Sequence, residues 1–255
     1  MQKKISDWIL SEKVMLNPTH FLLKFKTLDS LPVLLPGQFV QLKIDDNPSV
    51  FLRRTFSIHY VDVEKQEIWL LIQTVGEGTT TLSEYSEGKM VNVIYPLGNS
   101  FSIPDLGQKK LLLIGGGVGI APMLFLGSTL HQQGFSPNFL IGAKSRAHLL
   151  ELNEFEKFGQ VYVTTEDGSA GEKGFVTDHS ILNQSFDQIY TCGPTPMMKA
   201  VAAYAASHSI LCELSLENKM ACGIGACLCC VTETHEGNTC VCTEGPVFKA
   251  NDLVW

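Results

Sequence analysis

The sequence predicts a β barrel plus α/β architecture: an antiparallel barrel, then a parallel-sheet domain, then a small cysteine-rich segment. Three observations carry that prediction. Over residues 1 to about 100, short apolar or β-branched runs are separated by Pro, Gly, Asn and Asp, the pattern of antiparallel barrels and sandwiches. From Lys109 to about Leu214, apolar runs alternate with helical stretches, the order that gives a parallel sheet with helical crossovers. After that, regular periodicity fades and cysteines concentrate, as expected where a metal centre stands in for an apolar core. The expected domains are residues 1–103, 104–214 and 215–255.

In the first domain the expected strands are FLLKFKTL (21–28), QFVQLKID (38–45), EIWLLIQTV (67–75) and MVNVIY (90–95). FLRRTFSIHY, residues 51–60, also reads as a strand. Alternation puts Arg54 and Phe56 on one face and Thr55 and Ser57 on the other. An arginine fork suits phosphate and an aromatic suits a flat ring, so a flavin nucleotide would use both. The same spacing also describes a strand with one core aromatic and surface arginines. In TVGEGTTTLSEY (74–85), glycine and threonine precede an expected helix, whose N-terminus is a second candidate phosphate cradle. SIPDLGQ (102–108) has the content of an interdomain connection.

In the second domain the expected strands are KKLLLIGG (109–116), FLIGA (139–143), QVYVTT (160–165) and DQIYTCG (187–193). The expected helices are PMLFLGSTLHQQ (122–133) and MMKAVAAYAASH (197–208). Between the first strand and helix stand Gly115, Gly116, Gly117 and Gly119, with Pro122 early in the helix, where its missing N–H costs nothing. Glycines there let backbone amides approach a pyrophosphate. The run is not a strict GxGxxG, and such turns also serve packing. TCGPTPMM (191–198) follows another apolar strand. Both loops fall at strand carboxyl ends, where open α/β sheets bind ligands, and should face one pocket. Cys192 is either a functional thiol or a buried small hydrophobe. Lys144, Ser145 and Arg146 could meet a 2′-phosphate or simply form a polar loop.

The cysteine segment ACGIGACLCCVTETHEGNTCVC carries Cys222, Cys227 and Cys230 at C-x4-C-x2-C spacing, with Cys240 and Cys242 further on. That spacing lets a glycine-bearing loop wrap a 2Fe-2S cluster, with a fourth thiolate arriving later. Zinc needs two short knuckles; Cys227–Cys230 supplies one, and Cys240–Cys242 is too tight for the second. A disulfide framework needs an oxidising compartment. The N-terminus MQKKISDWIL lacks a sustained apolar core or a cleavage site, so a cytosolic chain with reduced thiols is expected. Cys229, adjacent to Cys230, is expected to point away.

Composition bounds the rest. In 255 residues, 45% hydrophobic and 18% charged, there is room for two ordinary domains and an appendage. A net charge of -7 without clustered Lys and Arg argues against nucleic acid. Apolar runs such as LLLI at 111–114 are far short of a membrane span.

Arg54-Thr55-Phe56-Ser57, Gly76-Glu77-Gly78-Thr79, Gly115 to Pro122, Cys192-Gly193-Pro194 and a terminal cysteine loop, in that order, resemble the ferredoxin-reductase superfamily. More narrowly, MACGIGACLCCV followed by VCTEGPVF is similar to the electron-transfer subunits of class 1B dihydroorotate dehydrogenases. The resemblance covers essentially the whole chain, and its C-terminal part is the most specific. It implies a ferredoxin-reductase-like fold with an FAD-binding barrel, an NAD-binding domain and a 2Fe-2S domain.

It further implies that Arg54, Thr55, Phe56 and Ser57 hold the FAD, that Leu71, Ile72 and Gln73 border the flavin, and that Gly78 and Thr79 contact its phosphate. By the same likeness Gly116, Gly117 and Gly119 would accept the NAD pyrophosphate, and Cys192, Gly193 and Pro194 would sit near the nicotinamide. Cys222, Cys227, Cys230 and Cys242 would ligate the cluster, the choice of Cys242 over Cys240 resting on the adjoining TEGPVF. Thr55 departs from the proline common in relatives. Dihydroorotate would be oxidised on a separate FMN-containing catalytic subunit, in a complex of two plus two, and electrons would pass through the cluster and FAD to NAD+. No general base is expected, and His59 and His131 are expected at surface or helix positions. Ile224, Leu228, Val247 and Phe248 are candidate contact or packing residues for the partner. Two other readings stand beside this one: a relative of the same fold that uses ferredoxin or sulfide and possibly NADP, and a zinc-binding interaction module without redox function.

Overall fold

The computed structural model describes residues 2–28, 30–31, 33–105 and 107–255. Leu106, inside the expected connection, lies outside the described residues.

Seven antiparallel strands form the first sheet: β1 (Lys4–Asn17), β2 (His20–Thr27), β3 (Phe39–Leu42), β4 (Arg54–Ser57), β5 (Tyr60–Asp62), β6 (Glu67–Gln73) and β7 (Met90–Leu97), in the order β4-β3-β7-β1-β2-β6-β5. Asn17 sets the β1–β2 turn, its side-chain oxygen accepting from the amides of Thr19 and His20 at 2.9 and 2.8 Å. The edge strands β4 and β5 are joined by only two residues. Ile58 donates its amide to Gln38 and His59 donates to Trp69, at 3.0 and 2.9 Å, so the chain steps from the β3 side to the β6 side and draws the sheet into a barrel. Helix α1 (Glu77–Glu84) follows β6.

Period-2 alternation fills the barrel. Phe21, Leu23 and Phe25 of β2 and Ile68, Leu70 and Ile72 of β6 point into one core. Their alternates Leu22, Trp69 and Leu71 belong to a second core with Met123, Leu124 and Phe139 of the following domain. Strand β6 is therefore covered on both faces, which is why it reads as a continuous apolar run, whereas on β2 the second face is apolar only at Leu22 and carries Lys24 and the exposed Lys26 beyond it.

That domain holds β8 (Leu111–Gly116), α2 (Ala121–Gln132), β9 (Asn138–Ala143), α3 (Leu152–Glu156), β10 (Gln160–Thr165), β11 (Glu172–Lys173), β12 (Gln188–Cys192), α4 (Thr195–Ser207) and β13 (Leu211–Ser215). Pro122 and Pro196 occupy the first turns of α2 and α4. Helix α2 ends in a Schellman motif: Gly134, at φ +87°, donates to His131 O, and Phe135 donates to Leu130 O, both at 3.0 Å.

The last segment adds a hairpin, β14 (Val231–Thr234) and β15 (Gly237–Cys240), and then β16 (Val247–Lys249). Sheet order is β11-β10-β9-β8-β12-β13-β16, parallel except for β16, which pairs antiparallel with β13. The expected boundary at residue 215 therefore falls at the end of β13, and the C-terminal segment returns to complete the nucleotide-type sheet. Val247 and Phe248 are buried there, so they pack rather than face a partner. Ile224 and Leu228 remain exposed.

His59 overturns its expectation. It is completely buried between the domains, with Nδ1 2.8 Å from Ala121 O and Nε2 2.9 Å from the Glu151 carboxylate. His131 lies on the exposed face of α2 as expected. No helix among the described residues is long and apolar enough to cross a membrane.

Candidate functional site

The switch point of the parallel sheet lies at β8, where the chain first builds outward through β9 and β10 and later returns to add β12 and β13 on the other side. Two clefts open at the carboxyl ends of these strands, against the barrel.

The first, of ≈ 310 Å³, is walled by Arg54, Thr55, Phe56 and Ser57 of β4, Leu71 and Gln73 of β6, and Thr79 of α1. Val118, Ala121, Ser215, Glu217, Met220 and Pro246 close it from the other domain and the C-terminal segment. The side chain of Ile72 is turned into the barrel core, so of the three β6 residues only Leu71 and Gln73 line this wall. Gly78 is glycine for a local reason: a Cβ there would stand 2.7 Å from Nε of Arg54. The guanidinium lies against the start of α1, held by a 2.6 Å bond from Nη1 to Leu52 O. The Thr79 hydroxyl is engaged in the turn itself, accepting from the amides of Val75 and Gly76 at 2.8 and 3.1 Å.

The second cleft, of ≈ 570 Å³, is lined by Gly116 and Gly117 at the end of β8, Gly142 to Lys144 at the end of β9, Thr164 and Glu166 at the end of β10, and Pro194, Pro196 and Met197 at α4. Thr19, His20 and Gln73 come from the barrel. Gln73 thus belongs to both clefts. Of Lys144, Ser145 and Arg146, only Lys144 lines the space. Ser145 pairs with His148, and Arg146 is tied to Ser169 by its amide and guanidinium.

Gly119, Cys192 and Gly193 are placed differently from Gly116, Gly117 and Pro194. A Cβ on Gly119 would lie 2.5 Å from Gly193 Cα and 2.6 Å from Cys192 O, so these residues press the two loops together beside the clefts. Cys192 is fully buried, and burial pushes its thiol well above the ordinary range. It donates to the Glu217 carboxylate at 3.8 Å. Although Glu217 is exposed at the mouth of the first cleft, the protein around its carboxyl raises its pKa, an effect the Cys192 bond partly offsets. Phe39, Glu217, Met220 and Pro246 were not legible as cleft residues: Met220 and Pro246 stand in MACGIGACLCCV and VCTEGPVF, but only the return of the C-terminal segment brings them and Glu217 to the cleft that Phe39 lines.

The cysteine loop is shaped by left-handed residues, Gly223 (φ +68°), Gly225 (+85°) and Leu228 (+57°). Backbone amides turn toward sulfur: Ile224 and Cys227 donate to Cys222 Sγ at 3.5 and 3.4 Å. Gly225 donates to Cys242 Sγ at 3.2 Å, and Cys242 to Cys230 Sγ at 3.4 Å. Burial acts to raise the Cys222 thiol, but the donors from Ile224, Cys227 and Ala226 bring it down to about 6. Cys242 is pushed up to about 12 by burial and the adjacent Cys230. Cys240 also lies beside Cys230, half-buried at the end of β15. Cys229 points away, toward Lys219 O at 3.7 Å. All of these thiols are free. Among the described residues no three His, Cys, Asp or Glu side chains gather as they would around a single metal ion.

Comparison with known proteins fits this layout. Residues 113–203 match the oxidoreductase NAD-binding domain, and residues 217–254 match the iron-sulfur cluster binding domain of dihydroorotate dehydrogenase B. The chain is 36% identical over 258 residues to the dihydroorotate dehydrogenase B (NAD+) electron transfer subunit of Fusobacterium nucleatum, covering 98% of each chain. It is 42% identical over 227 residues to the protein of that name from Caldanaerobacter subterraneus, covering 86% of this chain and 87% of that one. The chain belongs to the family of dihydroorotate dehydrogenase B electron transfer subunits. A solved structure of an NADH-dependent reduced ferredoxin-NADP oxidoreductase superposes with a TM-score of 0.86 at 28% identity, over 97% of this chain and 90% of the other. The ferredoxin reductase of carbazole 1,9a-dioxygenase, 19% identical with a TM-score of 0.71, shares the fold over 82% of this chain and 67% of its own. Members of this family are oxidoreductases by fold and name, and the family's iron-sulfur model spans the whole cysteine loop, the hairpin and β16.

Proposed function

We propose that this chain is the FAD-, 2Fe-2S- and NAD-binding subunit that carries electrons between an FMN-containing dihydroorotate-oxidising subunit and NAD+. The observation that carries this reading is contiguity. The two clefts share Gln73, and the cysteine loop closes on the outer face of β3, the strand that lends Phe39 to the first cleft.

The residues suit the groups. Both volumes lie in the range of cofactor sites, about 300–1,000 Å³. In the first cleft Phe56, Leu71 and Met220 offer apolar walls for a flavin ring. Arg54, stacked on Gly78 at the N-terminus of α1, offers a fork for its pyrophosphate, with Thr55 and Ser57 beside it. In the second cleft Gly116 and Gly117 leave the backbone open to a dinucleotide phosphate, and Pro194 stands where its nicotinamide end would turn toward the flavin. Gly119, Cys192 and Gly193 support these loops from behind. In the cysteine loop, amides aimed at Cys222 and Cys242 suit thiolates that carry cluster charge, which favours Cys222, Cys227, Cys230 and Cys242 as ligands. When bound, the cluster handles single electrons, nicotinamide a hydride, and flavin both. The chain's part is orientation and exclusion of water; no side chain is needed as a general base.

Two further points follow from the surface and the second cleft. Ile224 and Leu228, exposed on the cysteine loop, suit contact with the catalytic subunit, and a two-plus-two complex is the arrangement proposed, in the cytoplasm. Glu166 lines the nucleotide cleft beside Lys144, its amide donating to Ala143 O at 3.1 Å; a carboxylate there accepts from a ribose hydroxyl and repels a 2′-phosphate, which favours NAD over NADP.

The test is a visible spectrum of the purified protein, followed by reconstitution. Flavin and iron-sulfur bands, with NAD+ reduction from dihydroorotate once an FMN subunit is added, are expected. A colourless protein, or NAD+ reduction from sulfide or ferredoxin alone, would overturn the reading.

A further inference from the structure

Gln41 is a polar residue in a place where the packing around it is apolar. It sits in β3 with no exposed surface. Its neighbours Val40 and Leu42 point into the barrel, so Gln41 and Phe39 point out of it. Phe39 packs there with Cys230, Val241 and Cys242 of the C-terminal segment. Across the sheet Gln41 pairs with Thr55, which like Phe39 lines the first cleft.

The cysteine loop closes over this side chain. Nε2 donates to Ala221 O at 3.2 Å, a contact between residues 180 apart in sequence. On the other side of Cys222, a Cβ added to Gly223 would lie 2.7 Å from Cδ and Nε2 and 2.8 Å from Oε1. The loop backbone therefore lies flat on the carboxamide, and the left-handed Gly223 allows it. Oε1 has no hydrogen-bond partner within the protein, an uncommon state for a buried acceptor. An apolar side chain of the same volume would avoid that cost, so the amide is there for what its other end holds.

We infer that Gln41 is a positioning residue for electron passage between the flavin cleft and the cysteine loop, fixing the Ala221–Gly223 turn to the barrel strand that helps wall the flavin. The inference rests on the cofactor assignment above and goes beyond it by naming the contact that sets the spacing of the two sites.

The variant Gln41→Met keeps length and volume and removes only the hydrogen bond. In holoprotein under anaerobic conditions, NADH delivers a hydride to the flavin, and single electrons then pass to the oxidised cluster. Flavin bleaching by NADH is expected to stay within about twofold of wild type. Cluster reduction, followed by freeze-quench electron paramagnetic resonance, is expected to slow about tenfold or more, with a shifted and broadened resonance at unchanged iron per flavin. Equal cluster-reduction rates and spectra in wild type and Gln41→Met would overturn the inference alone. Loss of iron from Gln41→Met would make Gln41 a residue of loop folding and overturn it too. A wild-type protein whose iron NADH does not reduce would overturn the cofactor assignment and the inference with it.

Discussion

Strand β6 and the first half of β2 are covered on both faces by two separate cores, whereas the cysteine loop keeps Ile224, Cys227, Leu228 and Cys229 exposed and holds its shape with amides and three left-handed residues. The cleft walls are thus fixed by packing that exists without any ligand. The loop has almost no apolar payload, so its stability has to come from whatever its sulfurs bind. The difference implies that changes in the loop act on a cofactor while leaving the fold intact, and changes in β2 or β6 act on the fold.

Six substitutions bear on that contrast. Cys242→Ala is expected to have the largest effect: complete loss of iron-sulfur absorption with flavin retained, whereas Cys240→Ala and Cys229→Ala keep the visible spectrum. If Cys240→Ala bleaches the protein and Cys242→Ala does not, the fourth ligand has been read in the wrong register. Loss of the cluster should also spare NADH oxidation by artificial acceptors at the flavin.

Leu70→Ala lies on the other side of the comparison. Leu70 is fully buried in the barrel core, and the lost methyl groups plus the cavity cost about 2–5 kcal/mol. Chemical denaturation is expected to show a lower midpoint with cluster absorption unchanged in native buffer. Selective loss of the cluster in this variant would blur the division between wall and loop.

Glu166→Ala is expected to be milder, shifting the kcat/KM ratio toward NADP by roughly tenfold, the size of one lost charge repulsion or hydrogen bond in a cleft. Steady-state kinetics with both nucleotides read it, and an unchanged ratio would remove Glu166 from the specificity account.

The smallest effect is one of pH. Burial first, and then His148, lowers the pKa of His20 below 6.5. The unfolded chain therefore takes up this proton at a higher pH than the folded one. Stability is lost as the pH falls below about 6.5 toward the folded value, with no contribution above it. His20→Gln should flatten that acid limb of a stability-against-pH curve; an identical slope would show that His20 does not contribute.

Much of the site was legible because its parts are backbone devices with fixed spacing. The glycines after β8, the Gly-Pro turn after β12 and the C-x4-C-x2-C run occupy the positions their sequence contexts suggest. Strand β1 was not among the expected strands, since nine of its fourteen residues are only half-buried and only Trp8 and Leu10 are fully buried. His59 misled for a related reason: its partners, Ala121 O and the Glu151 carboxylate, lie 62 and 92 residues away. Nothing local marks a histidine that will be enclosed by another domain.

The sequence by itself determined the succession of barrel, parallel sheet and cysteine loop, together with the glycine-rich and cysteine-rich turns between their elements, because those properties are local. Only the tertiary structure decided that β16 returns to pair with β13, that Gly119 and Gly193 serve loop packing, that Gln73 joins two clefts, and that Gln41 lies beneath Ala221. These depend on which distant surfaces meet, and burial between surfaces leaves no period or motif in the chain that supplies them.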